Sequence, residues 1–145
     1  MADGPSAIIG YGLTGRSLSR WLTLENEPFR IFDNDRALSI KSADSGILEE
    51  LHVTSGWSME NWEEALDGVE RLYLSPGVSL HSPAVRVARD QEIPVLSDLD
   101  LFNENTRKKP VIGVTGTNGK STAVALIGHL LEISGFSVAI GGNYG

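Results

Sequence analysis

The sequence contains no cysteine, which excludes a disulfide scaffold, a thiolate metal site and a cysteine nucleophile. Positive charge is scarce: the sequence has 12 Lys and Arg residues but 19 Asp and Glu residues, which gives a formal net charge of -7. That balance argues against a general binder of nucleic acids or membrane surfaces, although backbone N–H groups can still hold phosphates. No apolar run approaches the ~18 residues of a membrane helix, and the N-terminus is unlike a secretory signal. We therefore expect a cytoplasmic protein.

Short β-branched runs alternate with helical patterns of apolar residues along most of the chain. This alternation predicts an α/β fold with a Rossmann-like parallel sheet. The expected strands are residues 7–9, 29–32, a short strand near Val53, 72–74 and 94–96. The expected helices follow the glycines at 10–15, span 39–51, follow a cap at Ser58 and span 83–90. Asp98 is expected to cap a further helix.

The first glycine-rich segment reads Gly10-x-Gly12-x-x-Gly15 and lies between a predicted strand and a predicted helix. Glycines at this spacing allow a tight turn and the close approach of a diphosphate to the helix N-terminus. Asp33 follows the second predicted strand, where an acid can accept hydrogen bonds from a ribose or a base. One alternative is a plain turn without a ligand. If a ligand binds, the pattern alone favours a dinucleotide such as NAD.

The second glycine-rich segment, residues 115–122, has Gly-Lys-Ser entering a predicted helix, which is typical of a phosphate-binding loop. Lys120 would reach the outer phosphates of ATP, and the Ser121 hydroxyl would bind Mg²⁺, with Thr122 as a second candidate ligand. The strict motif has glycine where this chain has Val114, since the glycine lies at Gly113. The candidate ATP-binding residues are Gly116, Thr117, Asn118, Gly119, Lys120, Ser121 and Thr122.

A polar run around residues 103–110 indicates a domain junction, which we place between residues 107 and 108. Beyond it we expect a strand at 111–114, the second glycine loop, a helix over about 119–134 and a strand at 137–140. Such a βαβ unit is too small to form its own core. Its helix is apolar on all sides, as expected of a helix buried in a larger domain. We therefore expect an N-terminal fragment of a longer protein, with apolar surface uncovered in this unit.

Two different nucleotide loops in one chain narrow the range of functions. A dehydrogenase that uses NAD needs only the first loop, and an ordinary P-loop ATPase needs only the second. A ligase that holds a nucleotide-linked substrate in one domain and ATP in the next uses both.

Five stretches running over essentially the whole chain resemble the Mur ligases of peptidoglycan synthesis. They are residues 10–17, Asp33, residues 75–77, residues 97–102, and residues 116–122 followed by 141–143. Asn118 in the second loop argues against the relative that adds L-alanine. Thr14 after the second glycine and the Asp-x-x-Leu-Phe run at 98–102 favour the MurD-type branch, which adds D-glutamate. The shifted Gly113 is usual for this family.

The resemblance implies a three-domain enzyme. Residues 1–107 would form the Rossmann-like domain that binds the UDP substrate, and residues 108–145 would begin the central P-loop domain that binds ATP. A C-terminal domain would bind the amino acid. Further catalytic residues would lie beyond residue 145, so we expect the fragment alone to be inactive.

The resemblance also implies the residues that hold the UDP substrate. Leu13 and Thr14 would contact the diphosphate, Asp33 the uracil or ribose, and Asn143 the muramoyl part. Residues 34–36 depart from the Thr-Arg pair often found there in the family, which leaves open whether Asn34 or Arg36 contacts uracil. The complete implied set is Gly12, Leu13, Thr14, Gly15, Asp33, Asn34, Ser75, Gly77 and Asn143.

The implied reaction is ATP-dependent amide formation, which serves cell-wall biogenesis and so cell shape and division. The carboxylate of UDP-N-acetylmuramoyl-L-alanine would attack the γ-phosphate of ATP to give an acyl phosphate, from which the D-glutamate amine displaces phosphate. Lys120, as the catalytic residue, and Mg²⁺ would neutralise the developing charge. No nucleic acid or membrane partner is implied. The alternatives are a sister ligase that adds another amino acid, and an NAD-binding regulatory module, against which the second loop argues.

Overall fold

The computed structural model describes residues 4–35, 51–53, 61–106 and 109–142. By its contacts the chain divides into two compact units, Met1–Asn105 and Thr106–Gly145. Within the described residues, no helix combines the length and the apolar character that crossing a bilayer requires. The elements of the first unit are β1 (Ser6–Ile9), α1 (Leu13–Leu24), β2 (Phe29–Asp33), β3 (Leu51–Val53), α2 (Trp62–Ala65), β4 (Arg71–Leu74), α3 (Pro83–Asp90), β5 (Val95–Leu96) and α4 (Asp98–Thr106). The second unit contains α5 (Lys120–Ile133).

The strands of the first unit form one parallel sheet with the order β3-β2-β1-β4-β5. Strand β1 lies in the centre, where Ile8 pairs with Ile31 of β2 on one side and with Tyr73 of β4 on the other. The chain builds the sheet outward from β1 to β3, then returns to the opposite side of β1 for β4 and β5. This arrangement is the doubly wound order expected of a Rossmann-like sheet.

Side chains from alternate strand positions pack on opposite faces of the sheet, because successive residues of a strand point to opposite sides. One face carries Ile8, Ile31 and Tyr73 under α1 and α4. The other face packs against α2 and α3, and there the Phe32 and Trp62 rings lie 5.3 Å apart between centroids. Both faces are therefore buried, which explains why the strands read as continuous apolar runs rather than as alternating ones.

The structure confirms the predicted strands of the first unit and the helix at 83–90. The helix expected over 39–51 and the cap at Ser58 lie outside the described residues, except that Leu51 begins β3. The expectation that Asp98 caps α4 is wrong, because Ser97 does so. The Ser97 hydroxyl accepts the Asp100 N–H at 3.3 Å, and the Asp100 carboxylate accepts the Ser97 N–H at 2.7 Å. This reciprocal pair is a capping box.

The second unit contains its expected helix but not its expected strands. Within the described residues 109–142, neither 111–114 nor 137–140 is a strand. A parallel strand is defined by its backbone hydrogen bonds to a neighbouring strand. Within that described range, these two segments form no such hydrogen-bonded pairs. Helix α5 packs through its one buried residue, Gly128, against the Ile140 side chain.

Large apolar side chains of the second unit are exposed, as the sequence predicted. They are Val111, Ile112, Leu126, Leu130, Ile133, Phe136 and Ile140, each with between 48% and 67% of its surface accessible.

Candidate functional site

The carboxyl ends of β1, β2 and β4 meet at one edge of the sheet, where the strand order changes direction between β1 and β4. Three predicted segments follow these strands: the glycine loop 10–15, Asp33 with Asn34, and residues 75–77. Ligands of open parallel sheets bind in the crevice at such a point, because the connections on its two sides leave in opposite directions. The fold therefore brings the predicted UDP-site residues of the first unit, up to Gly77, to one crevice.

At two positions of the loop, neighbouring atoms leave no room for a side chain, so glycine is required there. Gly10 has a φ of +91°, and a Cβ there would lie 2.9 Å from both Ser75 Cβ and Val78 Cγ2. A Cβ at Gly15 would collide with the Gly10 carbonyl oxygen and touch Ile8. The first glycine thus permits the turn, and the last one permits α1 to pack on β1.

Helix α1 begins with its N-terminus open. Gly12 occupies the N-cap position, no described side chain caps the helix, and its first helical hydrogen bond runs from the Arg16 N–H to the Gly12 carbonyl at 3.0 Å. Apart from Gly12 and its chain neighbours, no atom of the described residues lies within 4 Å of the Cβ position of Gly12, while Leu13 is 89% exposed. Uncapped N–H groups at the positive end of a helix dipole favour an anionic group such as a phosphate.

The polar atoms of Asp33 and Ser75 contact the backbone of the crevice loops. Asp33 accepts the Tyr11 N–H at 2.6 Å through Oδ2 and the Asp35 N–H at 2.7 Å through Oδ1. The Ser75 hydroxyl donates to the Gly10 carbonyl at 2.7 Å. Both side chains are buried. Their polar atoms therefore hold the backbone of the loop and do not point into solvent.

Sequence reasoning missed Tyr11 and Arg16 as parts of this loop. The Tyr11 ring is buried beside α1, with its hydroxyl 3.5 Å from Ser19 Oγ, and the Arg16 guanidinium lies 5.7 Å from the ring centroid. This cation–π contact places a positive charge beside the glycine loop. An aromatic residue between the first two glycines, with an arginine directly after the third, was the available signal.

The structure places the other predicted substrate contacts nearer to solvent, or does not describe them. Asn34 and Gly77 are exposed, and Thr14 is half-buried. Asn143 and Arg36 lie outside the described residues, so their expected substrate contacts stay predictions.

The second glycine loop leads directly into α5. Gly116 and Gly119 have φ values of +151° and +75°, and Gly119 occupies the N-cap position of a helix that no described side chain caps. The Lys120 ammonium donates to the Gly116 carbonyl and, at 3.3 Å, to that of Thr117. The loop therefore combines uncapped N–H groups with a cation held over it, which suits a phosphate group.

The hydroxyl residues of this loop, Ser121 and Thr122, are exposed in the first turn of α5. Among the described residues, no group of three or more His, Asp or Glu side chains could hold a metal ion by itself. A single hydroxyl beside a phosphate group fits Mg²⁺, which keeps most of its ligands as water and phosphate oxygens.

A five-stranded parallel sheet with an uncapped glycine loop at its switch point defines an open, doubly wound α/β domain of the Rossmann-like type. Residues 5–97 match the family model described as "Mur ligase MurD-like, N-terminal domain". The chain therefore belongs to the Mur ligase family, and its first unit is a MurD-like N-terminal domain.

Curated relatives match nearly the whole chain. The protein from Saccharophagus degradans is 36% identical over 99% of this chain, and that from Alcanivorax borkumensis is 33% identical over 99%. The relative from Rickettsia prowazekii is 36% identical over 95%. Each is named "UDP-N-acetylmuramoylalanine--D-glutamate ligase". The chain spans only 29–32% of the length of these relatives.

Proposed function

We propose that this chain supplies the UDP-substrate domain and the ATP loop of a ligase that joins D-glutamate to UDP-N-acetylmuramoyl-L-alanine. The reaction proceeds through the acyl phosphate that the family resemblance implies, with ATP as the phosphate donor. The proposed domains are residues 1–107 for the UDP substrate and 108–145 for the start of the P-loop domain. A cytoplasmic location, predicted from the sequence, remains part of the proposal.

The observation that carries the proposal is the open crevice at the β1–β4 switch point. The uncapped N-terminus of α1 offers N–H groups to a diphosphate, and Gly12 leaves room for its approach. Leu13 and Thr14 lie in the first turn of that helix and are the proposed diphosphate contacts. Gly15 keeps the helix close to β1, so that its N-terminus reaches the crevice.

The exposed residues after β2 favour uracil over adenine as the base. Asn34 and Asp35 are polar and exposed, which suits a small hydrogen-bonding base. An adenine site of a dinucleotide fold usually offers an apolar slot at this place. Asn34 is therefore the proposed uracil contact among the described residues, and Gly77 the proposed contact on the other side of the crevice.

In the second unit, the loop 116–122 is the proposed ATP site. Lys120 would lie on the outer phosphates, and the Ser121 hydroxyl would bind the Mg²⁺ that accompanies them. The magnesium ion supplies charge neutralisation on the transferred phosphoryl group. The protein's own contribution is to orient those phosphates on the N–H groups at the start of α5 and to hold the ammonium of Lys120 beside them.

Titration of this chain with UDP, UDP-N-acetylmuramoyl-L-alanine, NAD and NADP at fixed salt tests the proposal. We expect both UDP ligands to bind more tightly than either dinucleotide, because all four carry a diphosphate, but the UDP ligands offer uracil where the dinucleotides offer adenine. Tighter binding of NAD would contradict the assignment of the first unit and favour an NAD-binding regulatory module.

A further inference from the structure

Two side chains from different strands hold one peptide group, the group that joins Gly10 to Tyr11. The Ser75 hydroxyl, directly after β4, donates to the Gly10 carbonyl at 2.7 Å. The Asp33 carboxylate, at the end of β2, accepts the Tyr11 N–H at 2.6 Å. The carbonyl and N–H of a trans peptide point in opposite directions within one plane. The two contacts together therefore fix how that plane is turned, and we call this arrangement the peptide clamp.

Both side chains of the peptide clamp are themselves held in place. Asp33 is 8% exposed and Ser75 7% exposed, and hydrogen bonds shielded from water in this way are stronger than exposed ones. The second oxygen of Asp33 accepts the Asp35 N–H at 2.7 Å. The Ser75 N–H donates to the Ile9 carbonyl at 3.0 Å, which anchors the serine to β1.

The held peptide lies at the turn where β1 passes into the glycine loop. Gly10 has a left-handed φ of +91°, and the next residue but one, Gly12, is the N-cap of α1. Rotation of the 10–11 peptide would redirect the loop N–H groups and shift the start of α1. A loop that is already ordered loses less entropy when a ligand binds.

We propose that Asp33 and Ser75 are positioning residues, which act on the nucleotide by fixing the Gly10–Tyr11 peptide and with it the glycine loop. This inference rests on the proposed function for its ligand, but the clamp itself can be measured without one. It gives a second role to two residues for which the family resemblance implied direct substrate contact.

The first measurement follows the Tyr11 amide proton of the full 145-residue chain by NMR, without ligand. An N–H bonded to a buried carboxylate has a downfield resonance and exchanges slowly with solvent. We expect Asp33→Ala to abolish both properties. Asp33→Asn should retain part of them because it keeps one carbonyl acceptor, and it carries the test if the alanine variant does not fold. Ser79→Ala removes an exposed hydroxyl that, among the described residues, accepts the His81 N–H of its own turn, and it should leave the Tyr11 resonance unchanged.

The second measurement is a double-mutant cycle on UDP affinity with Asp33→Ala and Ser75→Ala. Each single change should weaken UDP binding about tenfold, the effect of losing one buried hydrogen bond. The double variant should bind about as weakly as the weaker single variant, because both side chains act on one peptide. Losses that multiply to about a hundredfold would indicate independent contacts with the ligand and would overturn the proposal.

The two measurements separate this inference from the proposed function. A wild-type chain that binds no UDP ligand but shows the protected Tyr11 amide would contradict the proposed function and support the clamp. A chain that binds UDP, and whose Tyr11 amide is unaffected by Asp33→Ala, would support the function and overturn the clamp.

Discussion

Gly15 lies where α1 comes closest to β1, and the structure has no room there for a side chain. A Cβ at this position would meet the Gly10 carbonyl oxygen, which is backbone and cannot rotate away. We expect Gly15→Ala to lower the free energy of unfolding by about 1–3 kcal/mol, the usual cost of overpacking. Urea unfolding monitored by tryptophan fluorescence measures this change.

Gly12→Ala is the matched control, because it adds the same methyl group in the same loop. Within the described residues, that methyl would find no neighbour within 4 Å, and Gly12 has an ordinary φ of -74°. We expect a stability loss below about 1 kcal/mol, the difference between glycine and alanine at an N-cap, together with weaker UDP binding. Equal stability losses in the two variants would show that the close approach of α1 to β1 is misassigned.

The capping box of α4 makes the stability of this helix depend on pH. Hydrogen bonds from the Ser97 hydroxyl and backbone N–H lower the pKa of Asp100 below its ordinary value of 3.8. A carboxyl group with a lowered pKa in the folded state stabilises the fold above its unfolded pKa, and that contribution is lost as pH falls through the folded pKa.

Comparison of the wild type with Asp100→Asn tests this contribution. Urea unfolding should show the wild type as the more stable protein at a pH of about 7. The difference should shrink as the pH falls below the ordinary carboxyl value of 3.8. A stability difference that persists unchanged in acid would mean that the Asp100 charge plays no part in the cap.

Two residues beyond the ends of helices α1 and α3 lies a non-glycine residue with positive φ, Asn26 at 56° and Glu92 at 58°. Both ends are Schellman motifs, since Ile93 N–H donates to the Ala88 carbonyl at 2.7 Å and Glu27 N–H to the Leu22 carbonyl at 2.9 Å. Asparagine tolerates this conformation far better than glutamate. Glu92→Gly should therefore raise the free energy of unfolding by about 0.5–1 kcal/mol, and Asn26→Gly should raise it by less. Melting temperatures of the two variants measure both changes. Equal gains at the two positions would contradict this explanation.

Local patterns predicted the elements of the first unit because each strand and helix carries its own apolar periodicity. The cap of α4 was also present in the sequence as Ser97-x-x-Asp100, but Asp98 was the more conspicuous acid. The partners of Asp33 and Ser75 could not be predicted, since they depend on strand neighbours brought together by the sheet order. The strands at 111–114 and 137–140 were wrongly predicted for a similar reason, because apolar β-branched runs form strands only beside a pairing partner.

At the scale of the whole molecule, the two proposed nucleotide sites belong to separate compact units. Lys120 is in the second unit, and the crevice proposed for UDP is in the first. In the longer ligase that we propose, we expect Lys120→Ala to abolish phosphate release and to leave the affinity for the UDP substrate unchanged. Removing a charge that stabilises a phosphoryl-transfer transition state commonly costs a few kcal/mol.

Phosphate release and calorimetric titration with the UDP substrate measure these two effects in the same variant. Retained activity would show that the loop 116–122 is not the ATP site. Loss of both properties in a protein that is still folded would show that the two units do not bind their ligands independently.

The order of the strands also fixes the order in which the crevice can be completed during synthesis. The hydrogen bond from Tyr11 to Asp33 spans 22 residues of chain, whereas that from Ser75 to Gly10 spans 65. The β2 side of the glycine loop can therefore be in place while β4 is still being translated. Until β4 has left the ribosome, β1 is an edge strand with one row of backbone groups unpaired. The central strand of the finished sheet is thus the strand whose second neighbour is synthesised after the longest delay. The glycine turn proposed to bind the diphosphate becomes rigid only when that neighbour has paired with β1.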